Sequence, residues 1–119
     1  MKKILLVEDN KENRYLITFI LEKNGYEVVI AEKGQTGFEM VLSENPDLIL
    51  MDIQLPDING LEVTKKIRAS KADGVVPIIA ITSYAMVGDR EKALEAGCNG
   101  YIEKPINPET FMKELQKFL

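Results

Sequence analysis

Five short apolar runs recur along the chain, and the segments between them carry apolar residues at helical spacing. The runs cover residues 4–7, 28–31, 48–51, 78–81 and 101–102. The first, third and fourth runs are continuous rather than alternating, which is typical of central strands in a parallel sheet covered on both faces. The pattern therefore predicts an α/β fold, in which five parallel strands alternate with five helices in an open, doubly wound sheet.

The spacing of apolar residues also predicts which face of each helix packs on the sheet. In the first helix, the shared face consists of Leu16, Phe19, Ile20 and Lys23. In the second helix, it consists of Gly37, Phe38, Val41 and Leu42. The third helix is expected to run from about residue 60 and to fade at residues 72–74, and the fourth from about residue 88 to residue 96. The last helix opens with Asn107 as its N-cap and Pro108 at its first position.

The length and composition indicate one compact domain. The chain has 119 residues, of which 45% are hydrophobic and 29% are charged, the proportions of an ordinary globular protein. No apolar run approaches the roughly 18 residues that a membrane helix needs. Glu8 and Asp9 interrupt the first run too early for a secretory signal. We therefore expect a cytosolic protein that does not bind membranes.

The net charge, the absence of histidine and the single cysteine exclude several classes of function. The net charge is −4, so the chain lacks the basic surface that binds nucleic acid or an anionic membrane. The absence of histidine excludes a phosphohistidine carrier, a Ser-His hydrolase and a His-ligated metal site. The single cysteine, Cys98, cannot form an internal disulfide, and we expect it to be buried as a small apolar side chain.

Polar residues follow four of the five predicted strands. Glu8 and Asp9 follow the first, Asp52 the third, Thr82 the fourth and Lys104 the fifth. Each of them alone could be an ordinary loop, cap or surface residue. Ligands of doubly wound sheets bind at the carboxyl ends of the strands, so we expect the five to meet there. Three carboxylates in one place favour Mg²⁺, and a lysine ammonium suits a phosphoryl oxygen.

Five segments of the chain resemble the motifs of response-regulator receiver domains, the phospho-acceptor modules of two-component signalling. They are LVEDN at 6–10, LILMDIQLP at 48–56, NG at 59–60, ITSYA at 81–85 and GYIEKP at 100–105. The resemblance covers essentially the whole chain, and it is greatest to stand-alone cell-cycle receivers. It implies a flavodoxin-like fold with strand order 2-1-3-4-5, in a single domain over residues 1–119 without an output domain.

The resemblance also implies the chemistry of the site. Asp52 is expected to accept a phosphoryl group from a sensor histidine kinase. Asp9 and Asp52 are expected to bind Mg²⁺ directly, Glu8 through a water molecule, and Gln54 through its backbone carbonyl. Lys104 is expected to pair with Asp52 and then with the phosphoryl group, next to a cis peptide bond to Pro105.

Two further residues carry the switch in such receivers. Thr82 is expected to move towards the phosphoryl group, and Tyr101 to rotate inward behind it. The surface of the fourth helix, fifth strand and fifth helix would then bind a downstream protein. Gln54 and Tyr84 are expected to tune the lifetime of the phosphate, and we expect a monomer or a weak dimer.

The same residues bear on three other functions. A relay intermediate that passes the phosphoryl group to a histidine phosphotransfer protein would use the same site, so the sequence leaves it open. An aspartate-nucleophile phosphatase would carry a second acid two residues after Asp52, where this chain has Gln54. A flavodoxin-type cofactor carrier would need a phosphate-binding loop rich in Ser, Thr and Gly after the first strand, where residues 8–10 are Glu-Asp-Asn.

Overall fold

The computed structural model describes residues 2–70, 75–83 and 88–119, and its five strands form one parallel sheet. The strands are β1 (Lys3–Val7), β2 (Glu27–Ala31), β3 (Leu48–Asp52), β4 (Ile78–Thr82) and β5 (Gly100–Glu103). The helices are α1 (Lys11–Lys23), α2 (Gly34–Glu44), α3 (Gly60–Ala69), α4 (Asp89–Ala96) and α5 (Pro108–Gln116). The spatial order is β2-β1-β3-β4-β5, so the predicted fold class and the strand order implied by the resemblance are confirmed.

The sheet separates two hydrophobic cores, because successive strand residues point to opposite faces. Along β1, Ile4 and Leu6 lie in one core, and Leu5 and Val7 lie in the other. The first core is covered by α1 and α5, and the second by α2, α3 and α4. β3 and β4 are buried over their whole length, as their continuous apolar runs predicted.

The predicted packing faces of α1 and α2 were partly wrong. The buried residues of α1 are Ile17, Ile20 and Leu21. Phe19 is 56% exposed and Lys23 is exposed, so the packed face lies to one side of the predicted one. In α2, Leu42 is 51% exposed although its neighbour Val41 is buried. Apolar residues occupy more than one stripe of these helices, and contact with the sheet decides which stripe turns inward.

Capping groups set the helix ends that the structure describes. Asn107 accepts a hydrogen bond from the N–H of Glu109, with Pro108 at the first helical position, as predicted. α3 ends earlier than predicted, at Ala69, and residues 72–74 lie outside the described residues.

Among the helices of the described ranges, none has both the length and the apolar character to cross a bilayer.

The loop between β3 and α3 is fixed by close contacts at two points. A Cβ atom added to Gly60 would overlap the backbone carbonyl of Asp52, so only glycine allows this approach. The carboxylate of Asp57 accepts hydrogen bonds from the N–H groups of Gly34 (2.8 Å) and Gln35 (3.0 Å). The segment that follows Asp52 is therefore attached both to the end of β3 and to the start of α2.

Gly60→Ala is expected to lower the free energy of unfolding by about 2 kcal/mol or more, because the added Cβ would displace the backbone of Asp52. Gly25→Ala is the matched control. Gly25 has a φ of 87° and open space around its Cβ, so we expect only backbone strain of about 1 kcal/mol. Urea unfolding followed by circular dichroism measures both losses. Equal losses would contradict the steric explanation.

Candidate functional site

Four strands bring the predicted side chains to one edge of the sheet. Glu8 follows β1, Asp52 and Thr82 end β3 and β4, and Lys104 follows β5 with a cis peptide bond to Pro105, as the resemblance implied. β1 and β4 both pair with β3, so their carboxyl ends lie side by side. Glu8, Asp52 and Thr82 are each at most 2% exposed. These three side chains therefore lie below the surface, whereas Asp9 is exposed.

Three carboxylates and one ammonium form the centre of the site. One oxygen from each of Glu8, Asp9 and Asp52 lies within 4.8 Å of the others. Lys104 Nζ lies 2.7 Å from Glu8 Oε1 and 3.4 Å from Asp52 Oδ2. Glu8 Oε1 has this ionic contact but no hydrogen bond of good geometry. One ammonium cannot neutralise three carboxylates, and the remaining negative charge favours a small, hard cation.

The position of Asp52 changes its acidity. Burial raises the pKa of Asp52 to about 7, and the neighbouring Glu8 carboxyl contributes to the rise. The ammonium of Lys104 and the backbone N–H of Gln54 act in the opposite direction and lower this pKa. Without added positive charge, the Asp52 carboxyl therefore keeps its proton to a higher pH than an ordinary aspartate does. A cation held by the three acids would favour the ionised form.

The loop after β1 is held by Arg14, a side chain that the sequence analysis did not identify. Arg14 Nη1 donates hydrogen bonds to the carbonyl oxygens of Glu8 (3.3 Å) and Asp9 (2.7 Å), and it lies 3.4 Å from Glu32 Oε1. The N–H of Asn10 donates to Glu8 Oε2 at 3.2 Å. These contacts fix the backbone of both acids. Every residue has a backbone carbonyl, so an arginine that binds carbonyls cannot be recognised from a sequence motif.

Gln54 contacts two of the predicted site residues. Its backbone N–H donates to Asp52 Oδ1 at 3.1 Å, and its side-chain Nε2 donates to Thr82 Oγ1 at 3.0 Å. The role of the Gln54 backbone carbonyl as a metal ligand stays a prediction. The bond to Thr82 was not foreseen, because it joins residues 28 positions apart in the chain.

Tyr101 lies on β5 and is not part of the acid cluster. Its half-buried ring packs against the second core, and its hydroxyl is buried without a hydrogen-bond partner among the described residues. Burial raises the pKa of the Tyr101 hydroxyl, and the nearby carboxylates of Asp89 and Glu103 raise it further. Tyr84, the other tyrosine expected near the site, lies outside the described residues.

The acid cluster forms the floor of an open cleft of about 390 Å³. The described residues that line it are all polar: Glu8, Asp9, Asn10, Lys11, Asn13, Asp52, Gln54, Ser83 and Lys104. A polar, open cleft suits a small charged group rather than an apolar ligand. Within it, the Asp52 carboxylate can act as an oxygen nucleophile, and the Lys104 ammonium can neutralise an anionic oxygen.

Comparison with known protein sequences agrees with these features. A family model described as the response regulator receiver domain matches residues 4–116. The polar-differentiation response regulator DivK of Brucella ovis is 40% identical to this chain over 118 residues, which cover 99% of this chain and 96% of that protein. The predicted similarity to stand-alone receivers, here of the DivK type, is therefore confirmed.

Solved structures show the same fold. The chemotaxis response regulator CheY4 of Vibrio cholerae superposes with a TM-score of 0.94 at 30% identity, over 100% of this chain and 99% of that one. The receiver domain of the sensor histidine kinase PA1611 from Pseudomonas aeruginosa gives a TM-score of 0.90 at 39% identity, over 98% and 96% of the two chains. That receiver has a magnesium ion coordinated in its active-site cleft. From the family match, the strand order and the motifs together, this chain belongs to the response regulator receiver domains.

Proposed function

We propose that this protein is a single-domain response regulator that takes a phosphoryl group on Asp52 from a sensor histidine kinase and then signals by binding another protein. The observation that carries this function is the position of Lys104 Nζ, 2.7 Å from Glu8 and 3.4 Å from Asp52, at the floor of a polar cleft. A buried ammonium beside the acceptor carboxylate is placed to bind the oxygens of a group attached there. The 40% identity to a protein named as a response regulator supports the same function.

The donor set of the cleft fits Mg²⁺. Glu8, Asp9 and Asp52 offer hard oxygen ligands that are close enough to share one ion, and they carry more negative charge than Lys104 neutralises. We assign direct ligation to Asp9 and Asp52, a water-mediated contact to Glu8, and a further ligand to the backbone carbonyl of Gln54. When bound, the cation would neutralise phosphoryl oxygens and favour the ionised form of Asp52.

Asp52 would act as the nucleophile of the transfer. Its carboxylate oxygen forms a bond to phosphorus as the P–N bond of a phosphohistidine breaks, which leaves the phosphoryl group on Asp52. Lys104 then exchanges its contact with Asp52 for one with a phosphoryl oxygen. Because this chain contains no histidine, the phosphohistidine belongs to a partner kinase or phosphotransfer protein.

Thr82 and Tyr101 would transmit the change to the surface. In the phosphorylated form, the Thr82 hydroxyl binds a phosphoryl oxygen, and Tyr101 fills the space behind it. The face of α4, β5 and α5 then takes its binding form, because phosphorylation biases an equilibrium between two conformations. The buried Tyr101 hydroxyl supports this role, since no hydrogen bond among the described residues opposes its rotation. Onward transfer to a histidine phosphotransfer protein would use the same acceptor.

Incubation with acetyl phosphate and Mg²⁺ is expected to add one phosphoryl group that is stable in acid and labile in base. Asp52→Asn should abolish the adduct, because it removes the nucleophilic carboxylate. Asp47→Asn is the matched control, since Asp47 is an exposed acid at the opposite end of β3. Intact-mass spectrometry measures the adduct. The same adduct on the Asp52 variant would show that another residue is the acceptor.

Asp9→Asn is expected to weaken Mg²⁺ binding about tenfold or more, because it removes a charged ligand from the cluster. The exposed Glu12, three residues along the chain, provides the control variant Glu12→Gln. Isothermal titration calorimetry compares the two variants with the wild type. If Asp9→Asn bound Mg²⁺ as tightly as the control, Asp9 would not be a metal ligand.

Stability without a divalent cation is expected to fall as pH rises from about 4 to about 7. In this window the folded protein keeps the Asp52 proton, whose pKa is about 7, whereas the unfolded chain releases it near pH 3.8. Asp52→Asn removes this decline, so its stability relative to the wild type should increase by about 1 kcal/mol between pH 5 and 8, a value reduced for solvent screening in the open cleft.

Urea unfolding in EDTA at several pH values measures this difference. Glu95→Gln serves as the control, because Glu95 is an exposed acid on α4 outside the site. A difference between Asp52→Asn and the wild type that did not change with pH would contradict the raised pKa.

A further inference from the structure

The hydrogen bond between Gln54 and Thr82 has no part in the phosphoryl transfer described above. Gln54 Nε2 lies 3.0 Å from Thr82 Oγ1. Thr82 is 1% exposed, whereas Gln54 is exposed and extends its amide inward from the rim of the cleft. The bond therefore joins the loop after Asp52 to the end of β4.

The backbone around Gln54 is anchored on both sides. Its N–H donates to Asp52 Oδ1 at 3.1 Å, and the N–H of Gly60 donates to the carbonyl of Ile53 at 2.9 Å. Further along the loop, Asp57 is hydrogen-bonded to the start of α2. The side-chain amide is thus presented to Thr82 from a fixed segment of backbone.

We propose that Gln54 is a latch that holds Thr82 in its resting position and opposes the change to the phosphorylated conformation. The latch rests on the proposed function, in which the Thr82 hydroxyl moves towards a phosphoryl oxygen. In this proposal the movement lengthens the 3.0 Å bond between Oγ1 and the Gln54 amide, so the bond to Gln54 and the bond to the phosphoryl oxygen compete. Gln54 is therefore a positioning residue, which sets how readily a phosphoryl group on Asp52 produces the switched form.

The strength of one neutral hydrogen bond determines the size of the expected effect. Losing such a bond in the resting form alone shifts the equilibrium between the two forms about 2- to 10-fold towards the switched form. The exposure of Gln54 favours the lower part of that range, since water can replace part of the lost interaction.

Gln54→Met removes the amide donor while keeping the length of the side chain and the backbone carbonyl. With saturating Mg²⁺, the variant is expected to bind beryllium fluoride, a mimic of a phosphoryl group on an aspartate, about 2- to 10-fold more tightly than the wild type. Fluorine-19 NMR titration measures this affinity. Gln116→Met, at an exposed position near the end of α5, is the matched control and should bind as the wild type does.

Two further variants decide whether the effect passes through Thr82. In a Thr82→Ala background, the gain from Gln54→Met should fall below about twofold, because the latch has lost its partner. Gln54→Asn keeps a polar side chain but shortens it by one methylene group, so its amide no longer reaches Thr82. This variant should show the same gain in affinity for beryllium fluoride.

Unchanged or weaker binding of beryllium fluoride by the Gln54 variants would overturn the latch. A gain that persisted at full size in the Thr82→Ala background would overturn it as well, because Gln54 would then act on the phosphoryl group directly. Failure of the proposed function is distinguishable from both results: the wild type itself would then bind no beryllium fluoride in the presence of Mg²⁺.

Discussion

The contacts of Lys104 with the buried carboxylates of Glu8 and Asp52 are the interaction on which the rest of the site depends. Buried charges destabilise a fold unless they are paired, so these three groups constrain one another strongly. Their pairing requires β1, β3 and β5 to end at the same edge of the sheet, and the strand order places β1 and β4 directly beside β3. The parallel sheet therefore does more than form a core, since it brings together charges from distant parts of the chain.

Lys104 neutralises only part of the charge of these carboxylates, and the remaining negative charge determines the chemistry of the site. One ammonium faces three carboxylates, and burial raises the pKa of Asp52 to about 7. The resting site therefore lacks positive charge, which a divalent cation can supply. A phosphoryl group on Asp52 would then give Lys104 a new anionic partner. The same excess of negative charge that lowers stability thus favours the ligands of the proposed function, as is common where function competes with stability.

The surrounding backbone holds this charged site in place. Arg14 fixes the carbonyls of Glu8 and Asp9, Asp57 attaches the loop after β3 to α2, and Gly60 allows that loop to pack against Asp52. Such rigid support matters for a switch, because a small displacement is transmitted only when its surroundings do not absorb it. In the proposed mechanism, side chains of the site move while the backbone that supports them stays in place.

The sequence by itself determined the order of the elements and the residues at the strand ends. Continuous apolar runs marked β3 and β4, Asn107 and Pro108 marked the start of α5, and the acids and lysine of the site stood at the ends of strands or directly after them. The tertiary structure alone decided that Phe19 faces outward, that Arg14 holds the first loop, and that Gln54 bonds to Thr82. The physical reason is the range of the interactions. Strand and helix signals are local in the chain, whereas the rotation of a helix and a hydrogen bond between distant residues depend on how the elements pack.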